Sequence, residues 1–387
     1  MRKIMLCSAA LAALVACGGT AATSAQDNGA AVSRVEAAEA FAVEELDRFA
    51  EPWAMTFLPD GRLLVTEKAG TLRIRASDGA TIEVAGAPQV DYGGQGGLGD
   101  VVLHPRFAEN GLVYLSYADA GEEDLRGAAV ARARLVEEGG AARLERLEVI
   151  WRQVPKYDGH GHYGHRIAFG PDGFLYISSG DRQEFNPAQL MASNLGKVVR
   201  LNDDGSVPAD NPYASESDPI ARQVWTLGHR NPLGIAFAPD GRLWEIEMGP
   251  QGGDELNLIE RGANYGYPIV SNGDHYDGTR IPDHSTRPEF RAPAAWWTPV
   301  ISPGDMIFYT GGLFADWRGN ILVAGMSAEA IVRVAIEGDS AREIERIAMG
   351  QRIREIEQAP DGSIWVLEDQ EEAGGAGGRL LRLTPAR

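Results

Sequence analysis

Residues 165–179 read HRIAFGPDGFLYISS: an alternating apolar run, the triplet Pro171-Asp172-Gly173, then a second alternating run. Proline pre-sets φ at the first turn position and glycine accepts the positive φ that follows, so the segment predicts a tight β-hairpin. The pattern returns as WAMTFLPDGRLLVTE (53–67), LGIAFAPDGRLWEIE (233–247) and IREIEQAPDGSIWVLE (353–368). Two degraded copies fill the wide gaps: HPRFAENGLVYLSY (104–117) and FADWRGNILVAGM (314–326). Six hairpins thus recur about 40–80 residues apart, the spacing of four-stranded units with little helical periodicity between them. The expected fold is all-β, a six-bladed β-propeller over residues 41–387, with the C-terminal strand GRLLRLTP (378–385) hiding an edge of the first blade. A large sandwich with recurrent turns is the competing fold, but sandwich turns rarely repeat their flanking sequence.

The rest of the chain bounds the function. Arg2 and Lys3 followed by the apolar run Ile4–Val15 predict an export signal over residues 1–25, too short to span a bilayer. Leu14-Val15-Ala16-Cys17 also resembles a bacterial lipobox, in which Cys17 would carry a lipid anchor and become the first residue. The expected location is therefore the periplasm, free or tethered to the outer membrane. Residues 26–40, small and polar, are expected to form a tether. Both cysteines, Cys7 and Cys17, fall in the leader, so the domain has no disulfide and no thiol nucleophile. The net charge of −19, from 55 acidic and 36 basic residues, leaves no basic face for nucleic acid. It favours neutral or cationic small molecules and metal cations.

Polar loops between the hairpins hold the candidate chemistry, because the mouth of a propeller is its default ligand site. YDGHGHYGHR (157–166) contains three of the seven histidines, His160, His162 and His165. They read as a general base with neighbours, as a polar loop, or as a metal site, the last opposed by the breaking glycines and the lack of cysteine or HExxH. GHRNP (228–232) sets Arg230 beside Asn231 in a proline-fixed turn, suited to an anionic or quinone oxygen or to a plain turn salt bridge. GPQGGDELN (249–257) offers the carbonyls of Gly249 and Pro250 with Asp254 and Glu255, hard oxygen donors fit for calcium, or simply a solvated acidic loop. Arg352 and Arg354 stand two apart on a strand and so share a face, either toward a polyanion or toward solvent.

Taken together, four long stretches resemble the glucose/sorbosone dehydrogenase family in family order, and the resemblance runs from about Trp53 to Leu383. They are GGQGGLGDVVLHPRF (93–107), HYGHRIAFGPDGFLYISSGD (162–181), LGHRNPLGIAFAPDGRL (227–243) and GPQGGDELNLIERGANYGYP (249–268). The resemblance implies a six-bladed propeller that uses pyrroloquinoline quinone (PQQ) and calcium to oxidise aldose sugars at C1 to lactones, passing the electrons to a further acceptor. It implies that His162 is the base and Asp181 the group that orients it. Arg230 and Asn231 would contact the quinone, Gln95 the funnel, and Arg352 and Arg354 the cofactor's carboxylates. The carbonyls of Gly249 and Pro250 would bind the bridging calcium, and Glu255 with the Tyr265 carbonyl part of a second calcium site.

The chain departs from that pattern in three places. Ser327, in ILVAGMSAEAIVRV (321–334), stands where the family usually has a lysine facing a cofactor carboxylate, and Glu329 nearby has the opposite sign. Gly161 replaces the acid that precedes the base in glucose-specific members. Trp296-Trp297 supply apolar walls where polar cofactor contacts are usual. Weaker PQQ binding and broad sugar specificity are the expected consequences. A metal-dependent sugar lactonase and a non-catalytic propeller that binds sugar or protein are the rival readings.

Overall fold

The computed structural model describes residues 32–369 and 377–386; the leader, with Cys7 and Cys17, lies outside the described residues. All four Pro-Asp-Gly segments form antiparallel hairpins: Pro52–Phe57 with Leu63–Glu67, Gly164–Phe169 with Leu175–Ser179, Pro232–Phe237 with Leu243–Glu247, and Ile353–Gln358 with Ile364–Glu368. The turn chemistry matches the sequence reading. In the first, Gly61 adopts φ 85°, and Asp60 Oδ1 accepts from Arg62 N at 3.1 Å, an Asx turn. The degraded copies pair the same way, Leu98–Leu103 with Leu112–Ala120 and Pro303–Phe308 with Ile321–Gly325. Their connections are longer, and each encloses a short helix, Phe107–Asn110 or the 3-10 turn Ala315–Trp317.

The inner strands of these hairpins follow one another in a ring. Pro52–Phe57 lies beside Leu98–Leu103, then come Gly164–Phe169, Pro232–Phe237, Pro303–Phe308 and Ile353–Gln358, which returns to Pro52–Phe57. Further strands extend each hairpin outward, giving one eight-stranded, one five-stranded and three four-stranded sheets. The eight-stranded sheet arises at the rim, where Thr81–Ala85 pairs in parallel with Ala141–Arg152. This radial array is a β-propeller. In five of the ring strands the first four residues are buried and the last two half-buried, so the sequence repeat is also a repeat of environment. Apolar side chains fill the wedges between neighbouring sheets, as where Tyr114 and Val130 meet Ile167 and Ile177. Each such side chain contributes about 1.5–3 kcal/mol.

Two expectations about the ends are corrected. The outermost strand of the last sheet is N-terminal: Phe41–Phe49 pairs antiparallel with Gly378–Pro385. The C-terminal strand is therefore covered rather than added to the first hairpin's sheet. Of the proposed tether, residues 33–40 are structured. Ser33–Glu36 adds a parallel strand to Ser340–Ala348, and Val35, Ala37 and Ala40 pack on an apolar cluster. Their small apolar side chains gave no tether signal distinct from a short edge strand.

At the axis one side chain touches every inner strand. Arg166 donates from Nε to Leu233 O at 2.8 Å and from Nη2 to Gly304 O at 2.6 Å. Its Nη1 lies 2.6 Å from Glu355 and 3.5 Å from Asp100, and its guanidinium stacks 4.1 Å above the Trp53 ring. Among the described residues no helix is long and apolar enough to cross a membrane.

Candidate active site

The end of the hairpin strand Leu175–Ser179 delivers Asp181 to the loop that carries His162. His162 Nδ1 and Asp181 Oδ1 are 2.7 Å apart. Asp181 is fully buried, and its oxygens also accept from the backbone N–H groups of Gln183 (2.9 Å) and Phe185 (3.3 Å). A carboxylate so held fixes the imidazole with Nδ1 protonated and Nε2 free to accept a proton. The loop is pinned as well: His162 has φ 49°, and its N–H donates to Gln95 Oε1 at 2.7 Å. Burial pulls the His162 pKa below the ordinary histidine value, with Asp181 opposing it.

His162 opens on a cleft of about 500 Å³ lined also by Arg230, Pro250, Phe185, Tyr267 and Tyr276. Arg230 is 5% exposed, and its Nη1 donates to the carbonyls of Met248 (2.9 Å) and Gly249 (2.5 Å). Its guanidinium lies 5.8 Å from the Tyr276 ring and 6.0 Å from that of Tyr267. Asn231 is fully buried; its Oδ1 accepts from Gly164 N at 3.2 Å, so it braces the His162 loop from behind.

Next to the cleft, through Gln95, is a smaller pocket of about 150 Å³ lined by Gln95, Lys68, Arg352, Arg354 and His165. Arg352 and Arg354 do face the same way, since both pair with Asp369, at 2.9 and 2.8 Å. Lys68, which the sequence reading passed over, donates to Gly94 O at 2.9 Å and stands 3.6 Å from Glu51. Ser327 is exposed and its hydroxyl donates to Val300 O at 3.4 Å, while its neighbour Met326 lines the pocket.

The three histidines of the 157–166 loop do not converge. His165 is buried, stacked 4.9 Å from Trp53, with Nδ1 2.7 Å from Ser116 Oγ, and burial pulls its pKa down to about 3. His160 is partly exposed, 3.6 Å from Asp91. The loop is therefore one buried histidine on a carboxylate, one packed histidine and one surface histidine. On the far side of Arg230, Glu247, Gly249, Pro250 and Glu255 border a void of about 10 Å³, room for a single ion or water. Glu255 pairs with His284 Nε2 at 3.2 Å. The Tyr265 hydroxyl donates to Leu258 O, and Asp254 holds the strand-to-loop junction by accepting from Gly249, Ile301 and Ser302 N–H groups.

Comparison with known proteins gives this geometry a context. Residues 49–382 match the family described as Glucose / Sorbosone dehydrogenase. The chain is 36% identical over 348 residues to the aldose sugar dehydrogenase YliI of Escherichia coli, covering 88% of this chain and 91% of that one. It is 37% identical to the uncharacterized protein slr1608 of Synechocystis, covering 98% of each. The crystal structure of the soluble aldose sugar dehydrogenase of Escherichia coli in its apo form superposes with a TM-score of 0.82 at 35% identity, over 89% of this chain and 99% of that one. The PQQ-bound aldose sugar dehydrogenase of Streptomyces coelicolor does so with a TM-score of 0.71 at 27% identity, over 89% and 98%. The chain belongs to the glucose/sorbosone dehydrogenase family.

Proposed function

We propose that the protein is a six-bladed, PQQ- and calcium-dependent dehydrogenase that oxidises aldose sugars at C1 to lactones. The observation that carries the reading is the buried His162–Asp181 pair opening on a cleft that adjoins a pocket of cations. The donor set suits the cofactor: Arg352, Arg354 and Lys68 offer three cations to carboxylates, and Gln95 an amide. The void beside Gly249, Pro250 and Glu255 offers hard oxygens to one calcium ion. When bound, the quinone supplies a hydride acceptor and calcium a Lewis acid that polarises it.

The chain's own residues do the rest. His162 Nε2 accepts the proton of the anomeric hydroxyl as hydride departs from C1. Asp181 keeps the tautomer and stabilises the imidazolium that forms. Arg230 offsets negative charge that grows on the oxygen facing it. Phe185, Tyr267 and Tyr276 give the sugar an apolar wall. Lys68 takes the place of the family lysine missing at Ser327, reaching the pocket from another hairpin. Export belongs to the same reading, on the strength of the basic and then apolar leader, with Cys17 as a lipid-anchor site.

The test is to load the protein with PQQ and Ca²⁺, add aldoses and an artificial electron acceptor, and measure acceptor reduction and lactone together. Lactone formed in step with acceptor reduction is the expected result. A protein that binds PQQ but oxidises no aldose, or that hydrolyses lactones without quinone, contradicts it.

A further inference from the structure

Beneath the turn that carries Arg230, three buried side chains converge away from the cleft. Glu245 and Glu247 alternate along the strand Leu243–Glu247 and so point to one face. His229 Nδ1 lies 3.3 Å from Glu247 Oε1 and 3.7 Å from Glu245 Oε2. One ligand atom from each of the three lies within 4.8 Å of the others. His229 and Glu245 are fully buried, and Glu247 is 3% exposed.

Ordinary polar pairing leaves part of the cluster unmet. Among the described residues, no lysine or arginine side chain pairs with either carboxylate. Asn257 Nδ2 donates to Glu245 Oε2 at 3.1 Å and to Glu247 Oε1 at 3.3 Å. Among the described residues, Glu245 Oε1 and Asn257 Oδ1, both buried, have no hydrogen-bond partner. Two carboxylates out of water with one imidazole between them are costly to bury unless something else neutralises them.

The distances say what would. A charge-assisted N–H···O bond is about 2.7–2.9 Å long, and both imidazole contacts exceed that. Donors held about 2.1 Å from a tetrahedral cation are about 3.4 Å from one another, and the two imidazole contacts, 3.3 and 3.7 Å, fall on either side of that spacing. His229 Nε2 also lies 2.9 Å from Thr226 Oγ1, the kind of outer partner that a metal-bound imidazole keeps. Imidazole nitrogen with carboxylate oxygen suits zinc and its first-row neighbours, whereas calcium takes oxygen.

We propose that His229, Glu245 and Glu247 hold a first-row divalent cation of the zinc class. Asn257, on turning over its amide, would present Oδ1 as a fourth ligand. Glu247 borders the void next to Gly249 and Pro250 but His229 and Glu245 do not, so this site lies behind the proposed calcium and shares one carboxylate wall with it. The free oxygen of Glu247, Oε2, accepts from Arg230 N at 2.5 Å. The ion would therefore brace the Arg230 turn, a positioning role.

The test reads metal, not sugar oxidation, so it stands whether or not the dehydrogenase reading does. Untagged protein is stripped with chelator, saturated with Ca²⁺, and titrated with Zn²⁺ against a chromogenic chelator. Metal content is then counted by mass spectrometry. The expected result is one Zn²⁺ per chain held beside calcium and a higher melting temperature with zinc. Glu245→Gln, close in volume, should lose both, and Thr226→Val should weaken zinc by roughly 10–100-fold. Wild type that takes up neither Zn²⁺ nor Mn²⁺ overturns the proposal. So does a Glu245→Gln protein with wild-type zinc affinity. Wild type in which excess calcium keeps zinc out overturns the cation class.

Discussion

Spacing alone left His162 as one of three histidines, because a glycine-rich loop does not say which ring meets a carboxylate, and it was the family resemblance that singled it out with Asp181. Asp181 decides it, at 2.7 Å. Replacing His162 with Gln should lower kcat by about 10²–10⁴-fold, the usual cost of losing a positioned base, while PQQ titration stays near wild type; undiminished turnover would remove His162 from the chemistry. The pH profile follows from the direction of its pKa. The folded value lies below the ordinary 6.5 because burial disfavours the imidazolium. The neutral base is then present at and above pH 6.5, and kcat/KM should fall only at lower pH. An acid limb centred above 6.5 would contradict this. Lys68 was not legible, since a lysine after a strand carries no motif. As it lines the cationic pocket and Ser327 does not, Lys68→Ala should weaken PQQ binding by one to two decades, for a charge-assisted contact of about 1.5–3 kcal/mol. Ser327→Lys should leave it unchanged. Equal affinities in wild type and Lys68→Ala would show that the arginines suffice.

The hairpin is the element through which sequence becomes site. Eight residues past the turn aspartates Asp60, Asp172, Asp240 and Asp361 stand Lys68, Gly180, Met248 and Asp369. Each begins the loop after the second hairpin strand. Lys68 and Met248 line the small pocket, Gly180 precedes Asp181, and Asp369 holds both arginines. One repeat position thus feeds the site from several hairpins, and that register is the signal that would have found Lys68. Turn chemistry made the four Pro-Asp-Gly hairpins readable. The short helices in the degraded copies were not, since helices of three or four residues have no periodicity to detect. The loop after Leu243–Glu247 leads to Gly249 and Pro250, which border the small void proposed for calcium. Chelation should therefore lower activity and melting temperature together, and Ca²⁺ should restore both better than Mg²⁺, which demands a tighter octahedron. Equal recovery with either ion would remove the calcium assignment.

At the scale of the whole molecule, ring closure depends on contacts that no segment of sequence contains. Periodicity predicted that strands would surround an axis; it did not predict what fills the axis. Arg166 does so, touching Trp53, Asp100, Leu233, Gly304 and Glu355, one or more residues from each of the other inner strands. Asp305 adds a further carboxylate 3.7 Å away. Burial pushes the Asp305 and Glu355 carboxyls up, and the guanidinium pulls them back. Arg166→Met keeps the apolar stem over Trp53 but removes the charge. Breaking a buried pair this way typically costs about 3–5 kcal/mol, because the partners are left uncompensated. The sign of the pH dependence then separates this cause from lost packing. Without the guanidinium the folded-state pKa values of Asp305 and Glu355 rise further above their unfolded values. The folded variant therefore binds more protons than the unfolded chain as pH falls toward the ordinary carboxylate range, and its stability relative to wild type recovers. Melting temperatures of wild type and Arg166→Met at pH 8 and pH 5 should show a large deficit that shrinks in acid. A deficit of the same size at both pH values would mean that Arg166 holds the ring by its hydrogen bonds to Leu233 and Gly304, and that the axial carboxyls are already neutral.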